Sequence, residues 1–226
     1  MMLESARLFH PGCRTVVLSD RHTKFNPRAS PFLKPFHPDT EIIRFELDQT
    51  RPMLARSTAW LEFLRQADTH VVFVDSDILF NANLDDVFEW NFDVALTYRD
   101  QEHWPINSGI GFVHRDNLAR GIAFHKRWLE LVQGTYADTA DWGADQDAAQ
   151  ELLSEADFTR TDAYLHRQNG FGVLLLPCAG YNFSSASGTP MTGAYPDTKV
   201  LHFKGHRKPS MPAYWKRHLR STNTLR

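Results

Sequence analysis

The sequence has few cysteines, no long apolar run and almost no net charge, and each shortage excludes something. Only Cys13 and Cys178 occur among 226 residues, too few and too widely spaced for a disulfide framework or a cysteine zinc site. The longest uninterrupted aliphatic or aromatic runs are Val71–Val74 and Val173–Leu176. A membrane-spanning helix needs ~20 apolar residues, so none is expected. The amino-terminal Met-Met-Leu-Glu-Ser-Ala-Arg lacks the charged-then-apolar pattern of a secretion signal. A soluble, reducing, cytoplasmic setting is the resulting expectation. A formal net charge of −2 argues against non-specific nucleic-acid binding by the whole molecule, so no nucleic-acid partner is expected.

What remains is an ordinary globular composition, 42% hydrophobic, in a chain long enough to bury roughly 70% of its unfolded surface. The charge is uneven. From Lys204 to Arg226 there are seven Lys or Arg and no acid, whereas the acids cluster in the middle of the chain. That asymmetry is the one hint of function at the level of composition.

The pattern predicts strands over Thr15–Ser19, ending at Asp20, and over Thr40–Leu47. The four prolines between Asn26 and Asp39 exclude a helix or a central strand there, so this is read as a surface loop. Pro52 opens a predicted helix carrying Leu54, Trp60, Leu61 and Leu64. His70–Val74 reads as a buried strand. Strand, helix, strand with apolar strands predicts a mostly parallel central sheet covered on both faces. Further strands are predicted over Val94–Tyr98, Ile110–His114, Val173–Leu176 and Lys199–Phe203. Helices are predicted over Leu118–Leu131 and Asp145–Glu155, the second with an acidic first turn that suits its dipole. Ser184–Pro190 is a loop by composition. No repeat or linker appears, so residues 1–226 are read as one α/β domain, with residues 212–226 as a basic tail.

The strongest local motif is VVFVDSDILF. An apolar strand delivers Asp75, Ser76 and Asp77 to its carboxyl end, where open α/β sheets bind ligands. Two carboxylates that close repel each other, and a divalent cation between them removes the repulsion. Oxygen ligands suit Mg²⁺ or Mn²⁺. The plainer alternative is that Asp75 caps the next turn while Asp77 is solvated. A second motif, VLHFKGHRKP, offers His202 from a strand, Gly205 for a tight turn and Lys208 as a point charge for phosphate. Read plainly, it is a basic strand and turn at the surface. Asn107-Ser108-Gly109 can bind sugar hydroxyls or simply turn the chain. Gly143-Ala144-Asp145-Gln146-Asp147 can be catalytic or simply start a helix. LPCAGYN, by itself, says only that a strand gives way to a loop.

The order of these motifs is more specific than any one of them. D-x-D with ILFNANLDDVF, then WPINSG, GADQD, LP-x₃-YN and HF-x-G-x-x-KP resembles glycosyltransferase family 8. This is the group of glycogenin and the bacterial lipopolysaccharide galactosyl- and glucosyltransferases. The match runs from Ala55 to Pro209, about two-thirds of the chain.

The resemblance implies the GT-A fold, a Rossmann-like single domain, and retaining transfer of a hexose from a nucleotide-diphosphate sugar. The donor would be UDP-glucose or UDP-galactose, and Mn²⁺ or Mg²⁺ would be required. It implies Asp75, Asp77 and His202 as metal ligands, and Gly205 and Lys208 on the donor diphosphate. Asn107, Ser108 and Asp100 would lie on the donor sugar and Arg56 on the donor, with Asp145 and Gln146 at the reacting carbon. Leu18, Ser19 and Asp20 lie where the family binds the nucleoside base. The acceptor would be a glycan, a lipid-linked glycan or a protein. The sequence departs from the family at Gln150, where an Asn is common, and at Ser210, where a Trp is common.

Two rival readings use the same residues. A phosphatase or nucleotidyltransferase would share only the metal aspartates. Against a haloacid-dehalogenase-type phosphatase, at least one strand precedes the motif, and no acidic pair follows Lys208. The other rival is a non-catalytic nucleotide-sugar binder. The tail segment PAYWKRHLR mixes aromatics with cations. It can lie on an anionic membrane surface or be a solvated basic end. The oligomeric state is not legible.

Overall fold

The computed structural model describes residues 1–24, 39–137 and 143–220. The proline-rich stretch expected to be a loop lies outside the described residues except at Asp39, and so do residues 221–226 of the tail.

The elements in chain order are α1 (Met2–Phe9), β1 (Thr15–Asp20), β2 (Thr40–Phe45), α2 (Pro52–Leu64), β3 (Val71–Val74) and β4 (Ile78–Phe80). Then come β5 (Val94–Tyr98), β6 (Ile106–Val113), α3 (Leu118–Gln133), α4 (Ala144–Leu152), β7 (Tyr164–Gln168) and β8 (Phe171–Pro177). The chain ends with α5 (Cys178–Tyr181), β9 (Val200–His202) and α6 (Met211–Tyr214). Each helix and strand expected from the sequence is present within a few residues, β6 starting four residues before the expected Ile110. Helices α1, α5 and α6 and strands β4 and β7 are outside those expectations.

The result is a mixed α/β fold with a five-stranded central sheet in the order β3-β6-β5-β8-β7. The expectation of a mostly parallel sheet is corrected. Only β5 and β8 are parallel, and the other three pairs are antiparallel. The cause lies in the connections. β5 and β6 are joined by the short loop 99–105, and β7 and β8 by Asn169-Gly170, whose φ values are 52° and 79°. Short connections make antiparallel neighbours, and Asn-Gly with two positive φ angles is the tight hairpin turn. The strand–helix–strand unit read from β2, α2 and β3 does not form a parallel pair, since β3 pairs antiparallel with β6. The strands that do lie parallel at this end are β1 and β2. They form a separate two-stranded sheet, however, and Glu41 and Ile42 of β2 are exposed rather than covered.

Alternating side chains divide the sheet between two cores. Val94, Leu96 and Tyr98 of β5 and Val173 and Leu175 of β8 face α2, α3 and α4, against Trp60, Phe124, Trp128 and Ala148. Ala95, Leu174 and Leu176 face the other way, against Ile78 and Phe80 of β4 and Ala6 of α1. Trp60 stacks on Phe73 with ring centroids 4.6 Å apart. Strand β6 changes face midway, with Ile106 and Val113 in the first core and Ile110 and Phe112 in the second. Its register on β5 jumps from Leu96↔Gly111 to Thr97↔Asn107. Residues 108–110 therefore bulge out of that ladder, and bulges of this kind re-aim side chains at sites.

A third core joins Leu79, Leu201 and Phe203 to Met211, Tyr214 and Leu219. The aromatic part of the tail is thus turned inward at Tyr214, while Lys216 and Arg217 are exposed. Among the described residues no helix is long and apolar enough to cross a membrane.

Candidate functional site

Three chain segments meet at the carboxyl end of β3. Asp75 follows β3 directly, and its backbone N–H donates to the Gly109 carbonyl in the β6 bulge, at 2.8 Å. Two residues on, the short β4 pairs with β9 so that Ile78 lies opposite His202. Phe203 N–H donates to the Asp77 carbonyl at 2.8 Å. The register of β4 on β9 thereby sets His202 beside Asp77. One ligand atom each from Asp75, Asp77 and His202 lies within 4.8 Å of the others.

The two carboxylates divide their oxygens in the same way. Asp75 offers Oδ2 to His202 Nε2 at 3.8 Å and Oδ1 to Arg56 Nη1 at 3.0 Å. Asp77 offers Oδ1 to His202 Nε2 at 3.2 Å and Oδ2 to Lys208 Nζ at 3.3 Å. One oxygen of each carboxylate thus faces a common point with His202 Nε2, while the other rests on a cation. His202 is 4% exposed. Its ring fits because residue 109 is glycine: a Cβ there would stand 2.4 Å from His202 Cε1 and 3.2 Å from Asp75 Oδ2. Two carboxylate oxygens and one imidazole nitrogen form a donor set that fits Mn²⁺ or Mg²⁺, with the remaining positions left for water or phosphate oxygens.

Electrostatics separates the two acids. Burial lifts Asp75 above the ordinary carboxylate range in spite of Arg56 and His202. Burial also acts to raise Asp77, but the hydrogen bond and charge of His202, with Lys208, outweigh it and hold Asp77 at about 2. Arg56 is 18% exposed at its side chain. Burial acts to lower its pKa, and Asp145 and Asp75 reverse that, so its pKa is raised and it stays charged. Its guanidinium lies over Trp60 at 5.0 Å, a favourable cation–π placement.

Asp145 sits in the first turn of α4 and is 1% exposed. It accepts hydrogen bonds from Arg56 Nη2 and from the Ser108 hydroxyl, and Arg56 Nη2 also reaches Ser108 at 2.7 Å. Trp128 Nε1 donates to the Asp145 backbone carbonyl at 2.8 Å and so ties α4 to α3. Arg56 is the bridge between the Asp75–Asp77–His202 cluster and Asp145. Its Nε is buried with no hydrogen-bond partner among the described residues.

The other sequence-predicted residues are placed less tightly. Gln146 is half-buried beside Asp145. Asn107 is buried and its Oδ1 accepts the Gly109 N–H at 3.1 Å, within the bulge. Asp100 is exposed in the β5–β6 loop, and no hydrogen bond or ion pair joins it to the cluster among the described residues. Gly205 has φ +59°, a conformation that suits glycine at the turn carrying Lys208. Leu18, Ser19, Asp20, Arg56, Asp75 and Ser76 share the wall of a cavity of about 1210 Å³ between the β1–β2 pair and β3. Asp20 accepts from His22 N, Thr23 N, the Thr23 hydroxyl and Gln49 Nε2. These bonds hold its carboxyl well below the usual range and commit it to the turn after β1.

Sequence reasoning missed Asn182 and Thr97. Asn182 Oδ1 lies 2.9 Å from His202 Nδ1, and its Nδ2 lies 2.7 Å from Thr97 Oγ1. The signal for Asn182 was the YN of LPCAGYN. Thr97 had no signal, because its role comes from the bulge. The close approach at Gly109 lies inside a motif read for sugar contacts or a chain turn, neither of which places it against His202.

No family model and no curated protein matches this chain. Among solved structures it is similar to a glycosyltransferase involved in the glycosylation of the major capsid of PBCV-1. That likeness has 14% identity over 77% of this chain and 85% of the other, with a TM-score of 0.49. It is also similar to the glycosyltransferase GlyE of Streptococcus pneumoniae TIGR4, at 13% identity over 83% of this chain, with a TM-score of 0.48. The chain spans about half of GlyE, 49% of its length. At these values neither likeness carries a functional argument, and the chemistry rests on the side chains.

Proposed function

We propose that this chain is a metal-dependent glycosyltransferase that moves a hexose from a nucleotide-diphosphate sugar to a hydroxyl of a glycan, glycolipid or protein, with retention of configuration. One observation carries the reading. Asp75 Oδ2, Asp77 Oδ1 and His202 Nε2 face one point, and the other oxygen of each carboxylate is held by a cation. The order of motifs that resembles glycosyltransferase family 8 narrows the chemistry to UDP-sugar transfer.

A bound Mn²⁺ or Mg²⁺ supplies Lewis-acid stabilisation of the departing diphosphate. Lys208, 61% exposed at its side chain, is free to turn from Asp77 onto a phosphate and add a second positive charge. Arg56 keeps Asp75 aligned and carries the same orientation to Asp145. Asp145 is held charged-side inward by Arg56 and Ser108 and stabilises positive charge at the reacting carbon. Its preorganised hydrogen bonds need no rearrangement as that charge develops. The incoming hydroxyl attacks from the leaving-group face, where a phosphate oxygen takes its proton, and this yields retention. Leu18, Ser19 and Asp20 line the cavity that would take the nucleoside.

The test is a thermal-shift screen of nucleotide sugars with and without Mn²⁺. A ligand at 100 times its Kd stabilises by about 2.7 kcal/mol, which for a chain of this size raises Tm by roughly 5–10 °C. The expected result is stabilisation by a UDP-hexose only when Mn²⁺ is present. Equal stabilisation without metal contradicts the reading, and so does release of free phosphate from the donor.

A further inference from the structure

We propose that Asn182 sets the tautomer of His202 and thereby the metal affinity of the Asp75–Asp77–His202 cluster. The inference rests on the metal reading of that cluster and adds a positioning residue to it.

The chain of reasoning starts at a backbone carbonyl. The Asn107 carbonyl, at the edge of the β6 bulge, has no proton and can only accept. The Thr97 hydroxyl donates to it at 2.7 Å, and Asn182 Nδ2 lies 3.2 Å from the same oxygen. Having donated its proton there, the Thr97 oxygen accepts from Asn182 Nδ2 at 2.7 Å. Both neighbours on this side therefore require the NH₂ face of the amide. Turned the other way, Asn182 would set its own oxygen against a carbonyl, leaving buried acceptors unsatisfied at ~1–3 kcal/mol each.

The orientation of the amide decides the imidazole. Asn182 is 1% exposed, so water does not compete for its contacts. Its Oδ1 faces His202 Nδ1 at 2.9 Å, and since Oδ1 carries no proton, Nδ1 must. A neutral ring with its proton on Nδ1 has its lone pair on Nε2. Nε2 is the atom that faces Asp77 Oδ1 at 3.2 Å and Asp75 Oδ2 at 3.8 Å. The space between Nε2 and the two carboxylate oxygens takes a cation, either a proton in the hydrogen bond to Asp77 or a metal ion in its place. An imidazole ligand oriented by a hydrogen bond at its other nitrogen is the usual outer-shell arrangement, and losing that partner costs ~10–100-fold in metal affinity. Among the described residues the side chain of Asn182 hydrogen-bonds His202 and neither carboxylate, so it acts on the cluster through the ring.

The experiment uses the full chain and Mn²⁺ as the probe, with free Mn²⁺ followed by EPR. Asn182→Leu keeps the approximate volume and removes the acceptor, and it is expected to weaken binding about 10–100-fold. Asn182→Asp restores an acceptor for Nδ1–H, though its second oxygen then faces the Asn107 carbonyl, and it is expected to bind Mn²⁺ more tightly than Asn182→Leu. Asp77→Asn serves as the control and is expected to abolish binding. A second readout needs no variant at Asn182. Long-range ¹H–¹⁵N spectra of histidine-labelled protein with Mg²⁺ should show His202 protonated at Nδ1, its signal assigned by loss in His202→Gln. Unchanged Mn²⁺ affinity in Asn182→Leu, with binding still lost in Asp77→Asn, overturns the inference and leaves the metal reading standing. So does a His202 proton on Nε2. A parent chain that binds no Mn²⁺, or an Asp77→Asn variant that binds it normally, overturns both together.

Discussion

Gly109→Ala tests the packing of the cluster with the addition of a single methyl. The new Cβ would lie 2.4 Å from His202 Cε1, 2.7 Å from Nδ1 and 3.2 Å from Asp75 Oδ2. Carbon atoms in contact prefer ~3.5–4.0 Å, so the ring has to move by roughly 1 Å or more. It has little room to do so. Asn182 holds it on one side and the pairing of Ile78 with His202 fixes its backbone. Metal ligands tolerate displacements of only about 0.2 Å, so the three-ligand geometry is lost. Overpacking costs ~1–3 kcal/mol, and removing glycine from a strand returns ~0.5–1 kcal/mol. The net loss of ~0–2.5 kcal/mol lowers Tm by no more than about 10 °C for a chain of this size. Gly111→Ala, two residues along β6, is the matched control, because its nearest neighbour is Leu96 Cδ2 at 3.6 Å, an ordinary contact. Mn²⁺ titration with a parallel melting curve reads both quantities. The expected outcome is a folded Gly109→Ala with Mn²⁺ binding weakened at least about tenfold, and a Gly111→Ala that binds normally. A Gly109→Ala variant with full Mn²⁺ affinity would refute the placement of His202.

Three further outcomes are expected. His125 is buried against Trp60, Phe73 and Trp128, and burial holds its pKa down to about 4. The unfolded chain, with an ordinary histidine pKa near ~6.5, binds the extra proton first. Stability is therefore full above about pH 6.5 and is lost as pH falls toward about 4, by on the order of 3 kcal/mol. Urea titrations across that range check this, and His125→Phe should flatten the slope. Lys208→Ala should leave Tm nearly unchanged, since its side chain is mostly exposed. It should weaken UDP binding about 10–100-fold by calorimetry, as expected on losing a hydrogen bond to a charged group. Gly170→Ala, at φ +79° in the β7–β8 turn, should cost roughly 1–2 kcal/mol in denaturant unfolding with no effect on metal binding.

The parts of the fold that the sequence made legible are those written in local periodicity. Pro52 and the apolar residues after it mark α2, and VVFV marks β3. Strand β4 is only Ile78–Phe80, too short for a period, and it exists because β9 supplies its partner. Apolar strands by themselves do not encode the direction of the sheet, whereas the Asn169-Gly170 turn is a direct hairpin signal and marks the antiparallel β7–β8 pair. The motifs located Asp75, Asp77, Asp145 and His202 along the chain but carried no distances. The β6 bulge that lets Gly109 and Asn182 meet His202 is a pairing property of β5 with β6, and no single segment encodes it. The divided charge of the sequence has a local counterpart, since Lys208 from the basic end reaches Asp77 from the acidic middle.

The central claim is metal-dependent sugar transfer at the Asp75–Asp77–His202 cluster. Its most direct measurement is ¹H NMR of UDP-hexose incubated with the protein, with water or a simple glycoside as acceptor. The anomer formed first is read before mutarotation, with and without Mn²⁺, in the parent chain and in Asp77→Asn. The account predicts UDP and an α-configured product that appear only with Mn²⁺ and vanish in Asp77→Asn. A β-configured first product would contradict retention, and undiminished turnover in Asp77→Asn would contradict the site itself.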